Sequence, residues 1–88
     1  MTTKTWMVQL RIDEDTDTTR VEAVLDADGK TELRGHGQSR RNPVDPAVPM
    51  IGEELAAARA LSDLAHHLLD SAADDIESST RKPADVQF

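Results

Sequence analysis

Apolar and polar residues alternate along the first third of the chain. Residues 5–13, TWMVQLRID, place four apolar side chains on one face, and these are Trp6, Val8, Leu10 and Ile12. Residues 19–27 alternate again, after the polar run DEDTDT. A period of two is that of a half-buried strand, so both stretches predict β-strands joined by a polar turn.

A third, weaker strand is predicted over residues 30–40, KTELRGHGQSR. Asp28-Gly29 precedes it and favours a tight hairpin turn. Leu33 is the one large apolar residue of this strand, and Gly35 and Gly37 share its face. Because glycines on an inward face let another backbone approach closely, we expect a helix to lie across this strand.

A long helix is predicted over residues 50–78, a stretch rich in Ala and Leu. Its apolar residues recur with a 4-3 spacing, which is typical of a surface helix with one buried face. We expect this stripe, widened on one flank by two leucines, to pack on the sheet or to form a subunit interface; the residues are Ile51, Leu55, Leu61, Leu68, Leu69 and Ile76. Residues 79–88 are expected to be a loose tail.

Three prolines at a spacing of three, Pro43, Pro46 and Pro49, separate the third strand from the helix. In a polyproline II segment they would stack on one side, as in a PxxP ligand or in a stiff connector. Proline also lacks the N–H group that would continue a sheet. We favour a strut over residues 42–49, extended and without helix or strand, with the helix beginning within a turn of Pro49.

Together these elements predict a single α+β domain with the order β-β-β-α: a three-stranded antiparallel meander followed by one long C-terminal helix packed on one face. About 27 helical residues span roughly 40 Å, whereas a strand of about nine residues spans roughly 30 Å. The helix should therefore overhang the sheet, and its amphipathic end requires another surface to cover it. We expect a homo-oligomer, most simply a two-fold dimer.

Composition narrows the classes of function. The chain has 88 residues, a net charge of -7, no cysteine and no tyrosine, with a single Trp and a single Phe. The lack of cysteine excludes disulfides and thiol chemistry, and the thin aromatic content favours support from a partner subunit. We find no apolar leader and no run long enough to span a membrane, so we expect a cytoplasmic protein without membrane contact.

Basic residues gather on the predicted outer face of the sheet, and these are Arg11, Arg20, Arg34, His36 and Arg40. One interpretation is an anion or RNA platform. However, sheet-type RNA readers stack bases on aromatic side chains, which this face lacks, and the net charge repels phosphate at long range. We favour a solvated face with cross-strand ion pairs or a subunit contact; nucleic-acid or ribosome-associated binding is the alternative.

No catalytic, metal or cofactor site is predicted. Three aspartates of DEDTDT match the first ligand positions of an EF-hand loop, but Thr18 and Val24 stand where Gly and Glu are required. The helix offers His66 and Asp70 at i and i+4, fewer ligands than a catalytic metal centre needs. With no Cys, no G-x-S-x-G and no Gly-rich phosphate loop, we expect a non-enzymatic protein that acts on an unidentified protein partner.

The run RRNPVDPAVPMIGEELAAARALSDLAHHLLDSAADDIES, residues 40–78, resembles an actinobacterial family known as domain of unknown function 1876, as do WMVQLRIDEDTDTTRVEAVL and GHGQSRRNP. The resemblance covers about residues 4–80. It implies a small single domain with a fold like that of the double-stranded-RNA-binding domain, and it implies no function. The RNA-contacting regions of that domain are not matched, since the chain has no room for a first helix, its hairpin loop is acidic, and its helix begins Gly52-Glu53-Glu54.

Overall fold

Three strands precede one helix in the computed structural model, which describes residues 1–27 and 31–80. The strands are β1 (Met7–Glu14), β2 (Thr18–Asp26) and β3 (Leu33–Arg40), and the helix is α1 (Pro49–Thr80). The predicted β-β-β-α architecture is confirmed, and the bounds differ from the expected ones by a few residues. The expected turn at Asp28-Gly29 and residues 81–88 of the expected tail lie outside the described residues, while residues 79 and 80 belong to α1.

The strands form an antiparallel sheet in the order β1-β2-β3. Ala23 of β2 lies opposite Leu10 of β1 and Gly35 of β3, and the register continues without a break along both pairs. Directly opposite residues of an antiparallel pair point to the same face. The inner face, toward the helix, therefore carries Val8, Leu10, Ile12 and Glu14 of β1, Thr19, Val21, Ala23 and Leu25 of β2, and Leu33, Gly35, Gly37 and Ser39 of β3.

The core lies between α1 and the inner faces of β2 and β3. The helix packs mainly on β3 and next on β2, and it scarcely reaches β1. The buried apolar residues are Val21, Ala23, Leu25, Ala27, Ala56, Ala60 and Leu64, with Leu33, Ala57 and Leu68 packed partly against them. Four of the seven buried residues are alanines, so the core is built by close approach of backbones more than by large side chains.

Two glycines make that approach possible. A Cβ atom at Gly35 would overlap the backbone of Ala60 and Leu64, and one at Gly37 would overlap the backbone of Ala56 and Ala60. The helix backbone thus lies directly on β3, as the two glycines on the inner face of this strand predict. The α1 residues at these contacts are Ala56, Ala60 and Leu64, so a side chain added on β3, where the glycines lie, would separate the two backbones.

Side chains of α1 also bond the outer edge of β3. Asp63 Oδ2 accepts a hydrogen bond from the backbone N–H of His36 at 2.8 Å. Arg59 Nη1 donates to the backbone oxygen of Gln38 at 2.7 Å, and His67 Nδ1 donates to that of Arg34 at 2.6 Å. These bonds occupy backbone groups that an edge strand would otherwise offer to another strand.

The proline segment is bent in its first half. The backbone N–H of Asp45 donates to Asn42 O at 2.9 Å, closing a turn, and Arg41 Nη1 donates to Asp45 O at 2.6 Å. The expectation of a uniformly extended strut over residues 42–49 is therefore wrong for this half, because the Asn42 carbonyl and the Arg41 side chain stabilise the turn. The segment does lack helix and strand up to Val48, and α1 begins at Pro49, as expected.

Gly37→Ala tests the backbone contact. The added methyl group has to push α1 away from β3, so we expect the free energy of unfolding to fall by more than about 2 kcal/mol, the range of severe overpacking. Urea denaturation measures this loss. Gln38→Ala is the control, since that side chain is exposed at the next position and its removal should change stability by less than about 0.5 kcal/mol. Equal losses in the two variants would contradict the contact.

Candidate functional site

The inner face of β1 is left largely uncovered by the helix. Trp6, Val8, Leu10 and Ile12, hereafter the β1 strip, keep 50%, 42%, 40% and 42% of their surface exposed. Their partners in β2 are buried under α1, whereas every residue of β1 is exposed. The predicted orientation of the strip toward the inner face is confirmed. The strip is nevertheless a contiguous apolar surface and not part of the core, which is typical of an interaction site.

The sheet-facing side of α1 differs from the expected one. Ala56, Ala60 and Leu64 are buried at intervals of four residues, with Leu68 packed against them. Of the residues predicted to pack or to form an interface, Ile51, Leu55, Leu61 and Ile76 are exposed and Leu69 is half-buried. The expectation that the Leu and Ile stripe packs on the sheet is wrong for the four exposed residues, because the backbone contacts at Gly35 and Gly37 turn the side of α1 with Ala56, Ala60 and Leu64 toward the sheet. A role of this stripe as an interface stays a prediction.

The basic residues predicted to share the outer face do so. Arg11 lies opposite Glu22, which lies opposite His36, and Arg20 lies opposite Asp13. Glu22 binds two of the basic side chains, accepting from Arg34 Nη1 at 2.8 Å and from His36 Nε2 at 3.0 Å. The predicted cross-strand pairing on this face is therefore present.

Acidic residues nearly balance the basic ones on this outer face. Within the three strands, four arginines stand against three carboxylates, which leaves a net charge of +1 with His36 neutral; the residues are Arg11, Arg20, Arg34 and Arg40 against Asp13, Glu22 and Asp26. Glu32, next to β3, adds a further carboxylate, with Oε1 3.7 Å from Arg34 Nη2. A phosphate-binding surface needs cations that are free to neutralise phosphate. The face has the mixed charge of an ordinary solvated surface.

A cleft of about 450 Å³ lies at the end of the sheet, between the proline segment and the first turns of α1. Its polar wall includes Arg41, which donates to Asp17 Oδ1 at 2.8 Å, and Ser39, which donates to Gly52 O at 2.7 Å. Val48, Ile51 and Leu55 line the apolar side, among others. Because Arg41 and Ser39 are already hydrogen-bonded within the chain, we interpret the cleft as the boundary along which the proline segment packs against α1.

Two carboxyl groups meet beside this cleft. The pKa of Glu53 is raised above its ordinary value of 4.5, first by a hydrogen bond with the Glu14 side chain, then by partial desolvation and by the charge of Glu14. The neighbouring Glu14 carboxylate disfavours a second negative charge, so the protonated form of Glu53 is favoured relative to a free glutamate. The pair is a source of pH-dependent stability at the junction of β1 and α1.

In residues 1–27 and 31–80, no group of three or more His, Cys, Asp or Glu side chains is placed to hold a metal ion. The helix histidines bond backbone instead, His66 through Nδ1 to Ser62 O at 2.8 Å and His67 to β3. In the same residues, no helix is long and apolar enough to cross a bilayer.

Comparison with known proteins identifies the family. The sequence profile of the Rv2632c-like family matches residues 4–85. The chain belongs to this family. It is 48% identical over 83 residues to the uncharacterised protein Mb1767 of Mycobacterium bovis, covering 94% of this chain and 87% of that protein. It is 44% identical over 80 residues to the uncharacterised protein Rv2632c of Mycobacterium tuberculosis, covering 91% and 85%.

A solved structure of the Rv2632c-like family shares the fold. The crystal structure of Rv2632c superposes with a TM-score of 0.83 at 42% identity, over 94% of this chain and 98% of that one. The mycobacterial relatives agree with the predicted resemblance to a family without assigned function. The designation 1876 and the likeness to the double-stranded-RNA-binding domain stay expectations.

Sequence reasoning missed two features of this surface. The first is the exposure of β1, which results because α1 packs on β3 and β2 and not on β1. The sequence feature that indicates this placement is the pair of inward-facing glycines, Gly35 and Gly37, on β3. A helix drawn onto β3 by those glycines cannot also cover β1, since adjacent strands lie about 4.8 Å apart. The Glu14–Glu53 pair had no signal, because it joins residues 39 positions apart.

Glu53→Gln tests the carboxyl pair. Because the folded pKa of Glu53 is raised, the stability linked to its protonated form is fully present below pH 4.5 and is lost as the pH rises through the raised pKa. At pH 7 the variant, which cannot ionise, should melt at a higher temperature than the wild type. The difference should disappear below about pH 4.

A matched variant separates this contact from the general relief of negative charge. Glu54→Gln removes the same charge at an exposed neighbouring position and should raise the melting temperature less at pH 7. Thermal unfolding followed by circular dichroism between pH 3 and pH 8 gives both comparisons. Equal effects of the two variants at pH 7 would rule out a specific role of Glu14.

Proposed function

We propose that this chain is a non-enzymatic, cytoplasmic protein that acts through protein–protein contact and that it is a homo-oligomer, most simply a dimer. The observation that carries the proposal is the β1 strip, four apolar side chains on the inner face of the sheet that α1 leaves 40–50% exposed. A dimer would bring these side chains out of contact with water.

The balance of buried and exposed residues supports this proposal. In residues 1–27 and 31–80, thirteen large apolar side chains are exposed, whereas three, Val21, Leu25 and Leu64, are buried. Burial stabilises by about 25 cal/mol for each Å² of apolar surface, so a core made mostly of alanine contributes little. Small domains with thin cores commonly gain the missing stability from a partner subunit.

Nucleic-acid or ribosome-associated binding is the second candidate, since the structure does bring Arg11, Arg20, Arg34, His36 and Arg40 to one face. The carboxylates of that face, and the net charge of -7 of the whole chain, oppose phosphate binding. The likeness to the double-stranded-RNA-binding domain adds a fold analogy, which does not by itself argue for function.

The mass in solution tests the oligomer. We expect light scattering at micromolar concentration to give twice the chain mass of 9.7 kDa. Trp6 is the one tryptophan of the chain and belongs to the β1 strip, so its fluorescence emission should shift to shorter wavelength as concentration rises through assembly. A constant 9.7 kDa mass over this range, with an unchanged spectrum, would overturn the proposal.

Binding to RNA and to DNA separates the two candidates. We expect no shift of either nucleic acid at 50 mM salt, where phosphate contacts are strongest. A shift that weakens with added salt, and that is lost when Arg34 and Arg40 are both changed to Glu, would favour the second candidate. Gln38→Glu is the control, since it adds a negative charge to the same face without removing an arginine.

A further inference from the structure

We propose that a second copy of this chain pairs with β1 along its free edge, antiparallel and about a two-fold axis at Gln9, to form a continuous six-stranded sheet. The inference rests on the proposed function, because it names the partner and the surface of the oligomer. It follows from the backbone groups of β1, from the order of its side chains and from its charges.

The hydrogen bonds at the ends of the sheet identify which backbone groups of β1 are free. Asp15 N–H donates to Thr18 O at 2.8 Å, and this pair continues the β1–β2 register. Backbone groups alternate in direction along a strand, so the odd-numbered residues of β1 bond β2. The N–H and C=O groups of Val8, Leu10 and Ile12 therefore point to the outer edge.

The two edges of the sheet are treated differently. At the β3 edge, Asp63, Arg59 and His67 of α1 bond the backbone of the strand. At the β1 edge, α1 scarcely makes contact, and the strand MVQLRIDE contains no proline, no glycine and no lysine. Proteins usually protect an open edge by such residues or by covering it. Apart from the inward-facing Glu14 at its end, β1 has neither protection and is suited to pair with another strand.

A two-fold axis at Gln9 pairs the apolar side chains of β1 with apolar side chains of the partner's β1. With the two-fold axis there, Val8 lies opposite Leu10 of the partner subunit, and Trp6 lies opposite the partner's Ile12. Every residue of the β1 strip then faces an apolar residue on the same side of the sheet. A shift by one residue would place the strip against the polar outer face. A two-fold axis at Arg11 would place two arginines together and Val8 opposite Glu14.

Charge favours the antiparallel arrangement. Residues 1–10 contain Lys4 and no acidic residue, whereas residues 13–17 contain four acidic residues. Antiparallel pairing about Gln9 places Lys4 opposite Glu14 of the partner subunit, and the acidic run lies beside the basic end of the other strand. Parallel pairing would place the two acidic runs side by side. The arrangement is also closed, because both copies use the same surface.

Single cysteines on the outer face test the register, since the chain has none of its own. In the proposed pairing, Gln9 and the partner's Gln9 form a non-hydrogen-bonded pair with Cα atoms about 4.5 Å apart, within disulfide range. Met7 and Arg11 each lie roughly 13 Å from the same residue of the partner, four residues along the strand. We expect mild oxidation to convert Gln9→Cys largely to a covalent dimer, with at least fivefold less from Met7→Cys and Arg11→Cys.

A charge placed on either apolar surface tests the location. Leu10→Lys puts a charge on the β1 strip and should reduce the mass from the dimer to 9.7 kDa, while Ile76→Lys adds the same charge to the exposed side of α1 and should leave the dimer intact. Both positions are partly exposed, and circular dichroism verifies that both variants fold.

The outcomes separate a failure of the proposed oligomer from a failure of the proposed β1 pairing. A monomeric wild type overturns the oligomer and this pairing together. A dimeric wild type whose Gln9→Cys variant does not crosslink, or which dissociates on Ile76→Lys and not on Leu10→Lys, overturns the pairing alone and leaves the oligomer. Efficient crosslinking through Leu10→Cys in place of Gln9→Cys overturns the register.

Discussion

The contact between the backbone of α1 and the glycines of β3 determines where every other surface of the molecule lies. Gly35 and Gly37 let Ala56, Ala60 and Leu64 approach with their main chain. Once the helix is held there, its flank reaches the outer edge of β3, and Asp63 bonds the backbone of that strand. The same placement carries the helix away from β1. The position of α1 on β3 therefore explains both why the β3 edge is covered and why the β1 edge is free.

This contact also explains the composition of the core. A helix in backbone contact with a strand leaves little space for large side chains between them, and four of the seven buried apolar residues are alanines. The large apolar residues of the chain lie on either side of the contact, in the β1 strip and on the exposed side of α1. A chain with this distribution gains little from its own core and much from burying those surfaces against another molecule.

Much of the fold could be predicted from the sequence, because its signals are local. Alternation located the strands, and the prolines located the start of α1 at Pro49. The inward face of β3 was also readable from Gly35 and Gly37. The side of α1 that packs on the sheet could not be predicted, because the exposed residues Ile51 and Leu55 and the half-buried Leu69 have the same 4-3 spacing as a buried stripe. Only the glycines of another element show that alanines face the sheet.

The candidate surface was less predictable than the fold, because exposure is a property of the whole packing. The pattern of β1 indicates an apolar face but cannot indicate whether α1 covers it. On the outer face, the sequence shows which residues are basic. Which of them pair with Glu22 could not be predicted, because it depends on the register of the strands.

The two faces of the sheet therefore differ in what they offer a partner. Polar residues of the outer face are opposed by charges within the chain, as Arg34 is by Glu22, so a partner there would have to break bonds already made. Apolar residues of the β1 strip have no such bonds to lose, and the adjacent edge presents backbone groups that bond water. Replacing that water by a strand costs little and removes apolar surface from solvent. This difference is the physical reason why we propose protein contact at β1 and not on the arginine-rich face.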